Sequence, residues 1–519
     1  MLDKWFKAPV HYYLYLIALS LIAVGLSSSK VLMSIGTICL IVNSLLEGQL
    51  KLKMDRLKKD PALIIIILFL LFSILTLGWS DNWNYGLDDL RKKLPFFIIP
   101  IVMGTSNPLK KEHFKLIIYL FVTALVLFSG INYFSYIQQL TEIKDVREMS
   151  KFLSHVRLSL LINIGIFISG YYLYKEFRQN YLLILALVWL VFYQYKSQVI
   201  NGYALFLGLS FITALFLVRQ LKSKLLRRFI YSFTIVLGVV LVVFLGRFIK
   251  QAPAVEQVDF SNLTLYTANH NGYYHLKDAN IMENGKLVYL YISTKECRKA
   301  WNKRSDMAFD GLDKRGQKLE GTLYRYMTSK GLRKDSVGFL SLHNRDIQLI
   351  ENGHSNFNVN KGFLEKLSDL KMQWYTLQTK GDPNGNSIIQ RKIHLETGLS
   401  ILKNNWLFGV GIGDVDDEFR RQYRVDDSLL KKENQHRSHN QFLTIWISHG
   451  IFGWILILSL FIVPVVQGKA RNYCSIVILF SLFLSFLTQD MLETQAGVTI
   501  FGFFYSLFVI NQNIDGKDR

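Results

Sequence analysis

An abrupt change of polarity sets the chemistry of this chain. The stretch HRSHNQFLTIWISHGIFG, residues 436–453, begins charged and then becomes a long apolar helix running to about Val466. His439 and Asn440 therefore fall where water meets membrane, a costly place for polar side chains that have no function. A histidine that titrates near neutral pH can take the proton of a sugar hydroxyl there. The plainer alternative is a His and an Asn that only cap a helix, since Asn is a favoured N-cap. His436 is a nearby decoy. Gly450 and Gly453 lie about three turns deeper, nearly on one face, and small residues there let helices approach closely.

Two arginines complete the set. Arg157, in SHVRLSLLINIGIF, stands just inside an apolar stretch with His155 beside it. An arginine there either snorkels to headgroups or binds an anion, and its planar fork suits a phosphate. Arg391, in SIIQRKIHLETGLSILKNN, precedes GVGIGD (409–414) by about twenty residues. Two arginines converging from separate segments would neutralise a diphosphate leaving group without metal; the alternative for Arg391 is a solvated helix face. GVGIGD has the look of a phosphate-binding glycine loop, but no strand-turn-helix unit surrounds it, so a nucleotide site is not expected. Asp414, Asp416 and Asp417 read as an acidic surface turn rather than a metal site. Arg437 adjoins His439. Asp490 and Glu493, in TQDMLETQAGV (488–498), would orient His439, meet an acceptor or simply face solvent.

The elements that must position these residues are hydrophobic. Half of the 519 residues are apolar, the mean hydropathy is +0.22, and the apolar residues come in blocks long enough to span a bilayer as helices. The net charge of +21 is no nucleic-acid footprint. Residues 250–438 carry 29 Lys and Arg against 23 Asp and Glu, which leaves +15 for the apolar parts and their short loops. Such loops set topology and meet anionic headgroups. Of three cysteines, only Cys297 lies in 250–438, so that region has no internal disulfide framework. The first apolar block reads as a retained span rather than a cleaved signal.

About twelve spans are expected, near 10–27, 30–47, 61–79, 94–105, 114–137, 156–174, 181–195, 200–219, 228–248, 440–466, 472–488 and 495–511. The fourth is short and holds Pro95 and Pro100, which predicts a break or tilt. Basic loops at 51–59, 175–178, 219–228 and 468–471 fall on one side, which makes them cytoplasmic. The loops 80–93 and 138–155 and the long insert then face outward. The expected organisation is an N-terminal bundle of about nine spans (1–249), an outward insert (250–438) and about three C-terminal spans (439–519). In the insert, alternation as in KLVYLYIS (286–293) predicts a small mixed α/β domain over 255–350, followed by helices lying against the outer membrane face.

Three stretches carry a family resemblance. They are the His439 segment with its Phe-Leu and Gly-x-x-Gly, GVGIGD at 409–414, and SHVRLS at 154–159. Together they resemble the O-antigen ligase and polymerase family. The resemblance implies a GT-C-like all-α polytopic fold with a large periplasmic insert, in the bacterial inner membrane, and an active site facing the periplasm. It implies an inverting, metal-independent glycosyltransferase without cofactor. The donor would be a glycan on undecaprenyl pyrophosphate, and the acceptor lipid A–core or another glycan. His439 would be the base, Arg157 and Arg391 the pyrophosphate ligands, and His155, Arg437, Asn440, Asp490 and Glu493 supporting residues. Another arginine, expected by resemblance at the outward end of the span around 200–219, has no counterpart in YQYKSQVINGYAL; Lys196 is the nearest cation. Ligase, polymerase and protein glycosylation stay open, because they differ in acceptor. A transporter of the same lipids is the contrasting class, although its charges should line a route through the midplane.

Overall fold

A computed structural model describes residues 8–138, 149–251, 256–277, 281–358, 363–378, 383–385 and 387–511. The expected outward loop at 138–155 lies largely outside them. The helices of the first half are α1 (Ala8–Ser28), α2 (Lys30–Glu47), α3 (Leu50–Lys59), α4 (Pro61–Leu75), α5 (Trp83–Thr105), α6 (Lys111–Gln138), α7 (His155–Lys175), α8 (Phe177–Asn180), α9 (Leu183–Ser197), α10 (Ile200–Arg219) and α11 (Lys224–Lys250). There follow α12 (Thr294–Trp301), α13 (Leu319–Ser329), α14 (Ser336–Leu340), α15 (Asn344–Glu351), α16 (Phe363–Gln378), α17 (Ser387–Asn405), α18 (Val415–Val425), α19 (Gln441–Val466), α20 (Tyr473–Thr488) and α21 (Gln495–Tyr505).

Among the described residues, eight helices are long and apolar enough to cross a membrane: those at Pro9–Ser28, Lys30–Glu47, Pro61–Trp79, Lys111–Gln138, His155–Lys175, Ile200–Arg219, Lys224–Lys250 and Gln441–Val466. Leu183–Ser197, Tyr473–Thr488 and Gln495–Ile510 are shorter apolar helices. The protein is thus a polytopic, mainly helical membrane protein. The expected break at Pro95 and Pro100 is absent: α5 runs through both prolines as one helix. Packing against α21 and α4 holds it, an instance of tertiary contacts overriding a local helix breaker.

The chain forms two compact units. One comprises 1–138, 144–238 and 391–519; the other comprises 139–143 and 239–390. The core of the first is strongly aromatic where α4, α5 and α19 to α21 meet. Phe69 packs on Phe96 and Phe97, and Phe501 on Phe96, Phe461 and Phe486.

The second unit corrects the expected mixed α/β domain. Its core is built largely by α12, α13 and α15, around Trp301, Tyr326 and Phe339. Its described strands are two residues each, Met282–Glu283 pairing antiparallel with Lys286–Leu287. The alternation of KLVYLYIS is real in burial, since Val288, Leu290 and Ile292 point inward. It does not propagate a ladder, because Tyr291 adopts a left-handed φ of 55° that an extended strand excludes. Ile292 instead makes single bridges to Tyr274 and Lys334.

Candidate active site at the start of α19

All eight candidate residues belong to the first unit. Asn440 is the N-cap of α19, its Oδ1 accepting from the Leu443 amide at 3.1 Å. His439 immediately precedes it with φ 52°, an uncommon conformation for a residue with a Cβ. Three contacts hold this turn. The His439 amide donates to Asp490 Oδ2 at 2.9 Å, Thr444 Oγ1 donates to Asp490 Oδ1 at 2.5 Å, and Ser438 Oγ accepts from the Asn440 amide at 3.2 Å. Asp490 therefore supports the backbone of His439, not its imidazole. Burial pushes the Asp490 carboxyl up to about 6.

Beside this turn lies a closed lattice of charge. Arg437 donates through Nε to Asp416 at 2.6 Å, pairs with Glu493 at 2.6 Å and bonds the Tyr85 hydroxyl. Glu493 also meets Lys93 at 3.1 Å, and Lys93 meets Asp89 at 2.6 Å. Burial opposes the charge on Glu493, yet Arg437 and Lys93 hold its pKa well below the usual carboxylate range. Arg437 and Glu493 are thus spent on each other. Asp414 accepts the amides of Asp81 and Asn82, both at 2.8 Å, and Asp417 accepts from Asn82 Nδ2 at 3.1 Å. The acidic turn is a joint to the start of α5.

The glycine loop has a structural task too. Gly450 leaves helical geometry within α19 (φ 65°, ψ −166°). The loop after α17 fills the break: Val410 and Gly411 amides donate to the Ile447 and Ser448 carbonyls at 2.8 and 3.0 Å, and the Ile451 amide donates back to Trp406 O at 3.0 Å. A Cβ on Gly409 would sit 2.5 Å from the Gly450 nitrogen, and one on Gly450 would sit 2.1 Å from Leu407 O. Both glycines are required by this backbone-to-backbone approach.

The open side of the site is a cluster of rings. His394, on α17, is buried, and its ring centroid lies 5.1 Å from that of His439. His436 lies 5.8 Å from each. His394 Nε2 donates to the Asn434 carbonyl at 2.9 Å. A carbonyl only accepts, so neutral His394 carries its proton on Nε2 and a lone pair on Nδ1. That Nδ1 is buried with no hydrogen-bond partner. Arg391 precedes His394 by three residues on the same helix, and its charge is felt at His439. Burial first, then His394, Arg391 and His436, depress the His439 pKa to about 4. His439 is therefore an uncharged imidazole at neutral pH, with one nitrogen free to accept a proton. No group of three His, Cys, Asp or Glu side chains among the described residues has metal-holding geometry.

Arg157 sits in the first turn of α7. Its Nε is buried without a partner. Nearby, Val156 and Leu160 of α7, Asn201 and Gly202 of α10, and Thr488 and Gln489 at the end of α20 line one crevice. Gln489 is the neighbour of Asp490, which holds the His439 amide, so the start of α7 and the His439 turn lie at the same end of the unit. His155 flanks the crevice in sequence. Where the third arginine was sought, the Asn201 Nδ2 is buried and unpartnered, and Lys196 leans over Phe192 and Tyr195.

The structure thus brings the charge of Arg391 to bear on His439, places Arg157 at the same end of the unit, and engages Arg437, Glu493, Asp490 and Asn440 in ion pairs and hydrogen bonds around the His439 turn. His436, set aside as a decoy, belongs to the cluster. His394 was missed; an Arg and a His three apart on one helix was the available signal.

Histidines and an arginine thus gather at the start of a long apolar helix. Residues 338–458 match the family model described as O-Antigen ligase. The match includes Arg391, His394, the glycine loop, His439 and most of α19, and it supports an O-antigen ligase-type function in general terms. No curated protein shows a significant match to the chain.

Proposed function

We propose that the protein is an inverting glycosyltransferase of the O-antigen ligase type. It moves a glycan from undecaprenyl pyrophosphate to a lipid A–core hydroxyl at the periplasmic face of the inner membrane, on a GT-C-like helical scaffold. The observation that carries this reading is the meeting of His439, His394 and Arg391 at the start of an apolar helix, inside the segment matched by the family model.

His439 takes the proton of the acceptor hydroxyl as its oxygen attacks the anomeric carbon. The bond from that carbon to the diphosphate breaks, and the lipid diphosphate leaves with the electron pair. Attack opposite the leaving group inverts the centre. Arg157 and Arg391 hold the diphosphate, whose existing activation makes metal unnecessary. Its negative charge also offsets the field of Arg391 and raises the basicity of His439 when the donor is in place. The His394 ring lies 5.1 Å from that of His439, and its unpartnered Nδ1 would accept an N–H of His439 after a small ring rotation, stabilising the imidazolium as it forms.

The test combines the full chain in detergent with a lipid-diphosphate-linked glycan and rough lipopolysaccharide. Transfer onto lipopolysaccharide, lost in His439→Ala and insensitive to EDTA, is expected. Longer lipid-linked glycans with unlabelled lipopolysaccharide would replace the ligase reading by a polymerase. No transfer by folded protein would discard the enzyme and favour transport.

A further inference from the structure

A second site lies in the 239–390 unit, around a buried lysine. Lys334 is 3% exposed. Its backbone is fixed by the Tyr291 carbonyl at 3.0 Å and the Ser293 amide at 2.7 Å. Among the described residues its ammonium donates once, to the Leu290 carbonyl at 3.0 Å, and no carboxylate lies within ion-pair distance. An ammonium has three donors, and a buried charge without a counter-charge costs several kcal/mol. Burial accordingly pushes the Lys334 pKa down to about 8.

This lysine lines a cavity of about 360 Å³, together with Lys286, Arg333, Gln257 and Asn262. Two acids, Glu256 and Asp259, share the lining. Neither forms an ion pair with Lys334, although the charge of Glu256 is felt there. Glu256 is exposed and stands 3.7 Å from Lys286. Asp259 is tied into its own turn by the Ser261 amide and hydroxyl and by Asn262 Nδ2. The Arg333 guanidinium lies 4.5 Å over the Tyr291 ring, which fixes a third cation at the rim.

We propose that this cavity is a binding site for an anionic sugar, a residue bearing a carboxylate or a phosphate, with Lys334 as the buried counter-charge. The volume is at the small end for ligand pockets and suits one or two sugar residues rather than a polymer. Gln257 offers a neutral amide, and the side-chain oxygens of Asn262 and Thr328 offer neutral acceptors, for hydroxyls. That the ligand is a sugar rests on the proposed function; that it is an anion does not.

The experiment uses the full chain in detergent and needs no turnover, so it fails independently of the transferase reading. Acylation of Lys334 by acetic anhydride at slightly alkaline pH is followed by peptide mass spectrometry, with exposed Lys314 as internal reference. Sodium phosphate or sodium glucuronate is added at about four times its Kd, with glucose and matched sodium chloride as controls. Lys334 labelling is expected to slow about fivefold with no change at Lys314. Protection by phosphate alone assigns a phosphorylated sugar, by glucuronate alone a uronic acid, and by both a site that reads charge. Equal protection by chloride, or none by either anion, overturns the proposal. As a second measurement, each protecting anion raises the unfolding temperature of the wild type but not of Lys334→Met; an equal rise in both overturns it as well.

Discussion

The two sides of His439 treat charge in opposite ways. On one, Asp416, Arg437, Glu493, Lys93 and Asp89 satisfy one another in an unbroken run of ion pairs. On the other, the His394 Nδ1 and the Arg157 Nε are buried with no partner. Both sides are rich in polar groups, and composition does not tell them apart. The difference is whether each group's bonding capacity is used within the fold. A buried unsatisfied nitrogen costs about 1–3 kcal/mol, which evolution tolerates where a ligand completes the bond. The saturated side holds the turn; the unsaturated side is where chemistry is expected.

That contrast is breakable. His439→Ala should lower transfer by about 10²- to 10⁴-fold with unfolding close to wild type; activity within a few-fold of wild type would remove His439 from the reaction. Arg437→Met should instead destabilise the fold by about 3–5 kcal/mol, because it strands Glu493 and Asp416. Denaturant unfolding in detergent measures this, and a small loss would mean the lattice is not structural. Arg157→Met is the sharpening control, since it breaks no internal bond: stability should hold or rise while donor affinity falls. His394→Leu should reduce kcat about tenfold with KM little changed, and His394→Asn, which returns an acceptor near the Nδ1 position, should recover most of it. A merely packed histidine would favour Leu over Asn.

The smallest effect is in pH dependence. Transfer needs neutral His439, so kcat/KM falls as pH drops through its pKa, held at about 4 in the free enzyme. Activity therefore persists well below the ordinary histidine range. His436→Ala removes one of the positive neighbours that depress this value, so the acid limb moves to higher pH. A limb that stays put, or moves down, would separate His436 from the cluster.

His439, Arg391 and the glycine loop were legible because each sits in a run whose residue order is distinctive. Arg157 was legible because an arginine inside an apolar stretch is expensive. His394 was not: IHLETG has no local oddity, and its meaning comes from a carbonyl forty residues away. Partner identity was equally hidden: nothing in the sequence shows that Arg437 and Glu493 are each other's counter-charge. The insert misled for a related reason. Alternating burial marks which side chains face inward, whereas a ladder also needs every residue extended, and Tyr291 is not.

The break at Gly450 has a mechanical consequence. After it, α19 continues only from Ile451 to Val466, about 24 Å of helix, short of the roughly 30 Å hydrocarbon layer. The discontinuity therefore falls within the apolar slab, and so must the loop that plugs it. Trp406 and Phe408, exposed on that loop, would then meet acyl chains, which would make the loop a re-entrant hook anchored in lipid. Bilayer thickness thereby becomes a variable acting on α17, which carries Arg391 and His394, and on α19, whose N-cap His439 precedes, and membranes of different chain length should tune the proposed transfer without touching any of these side chains.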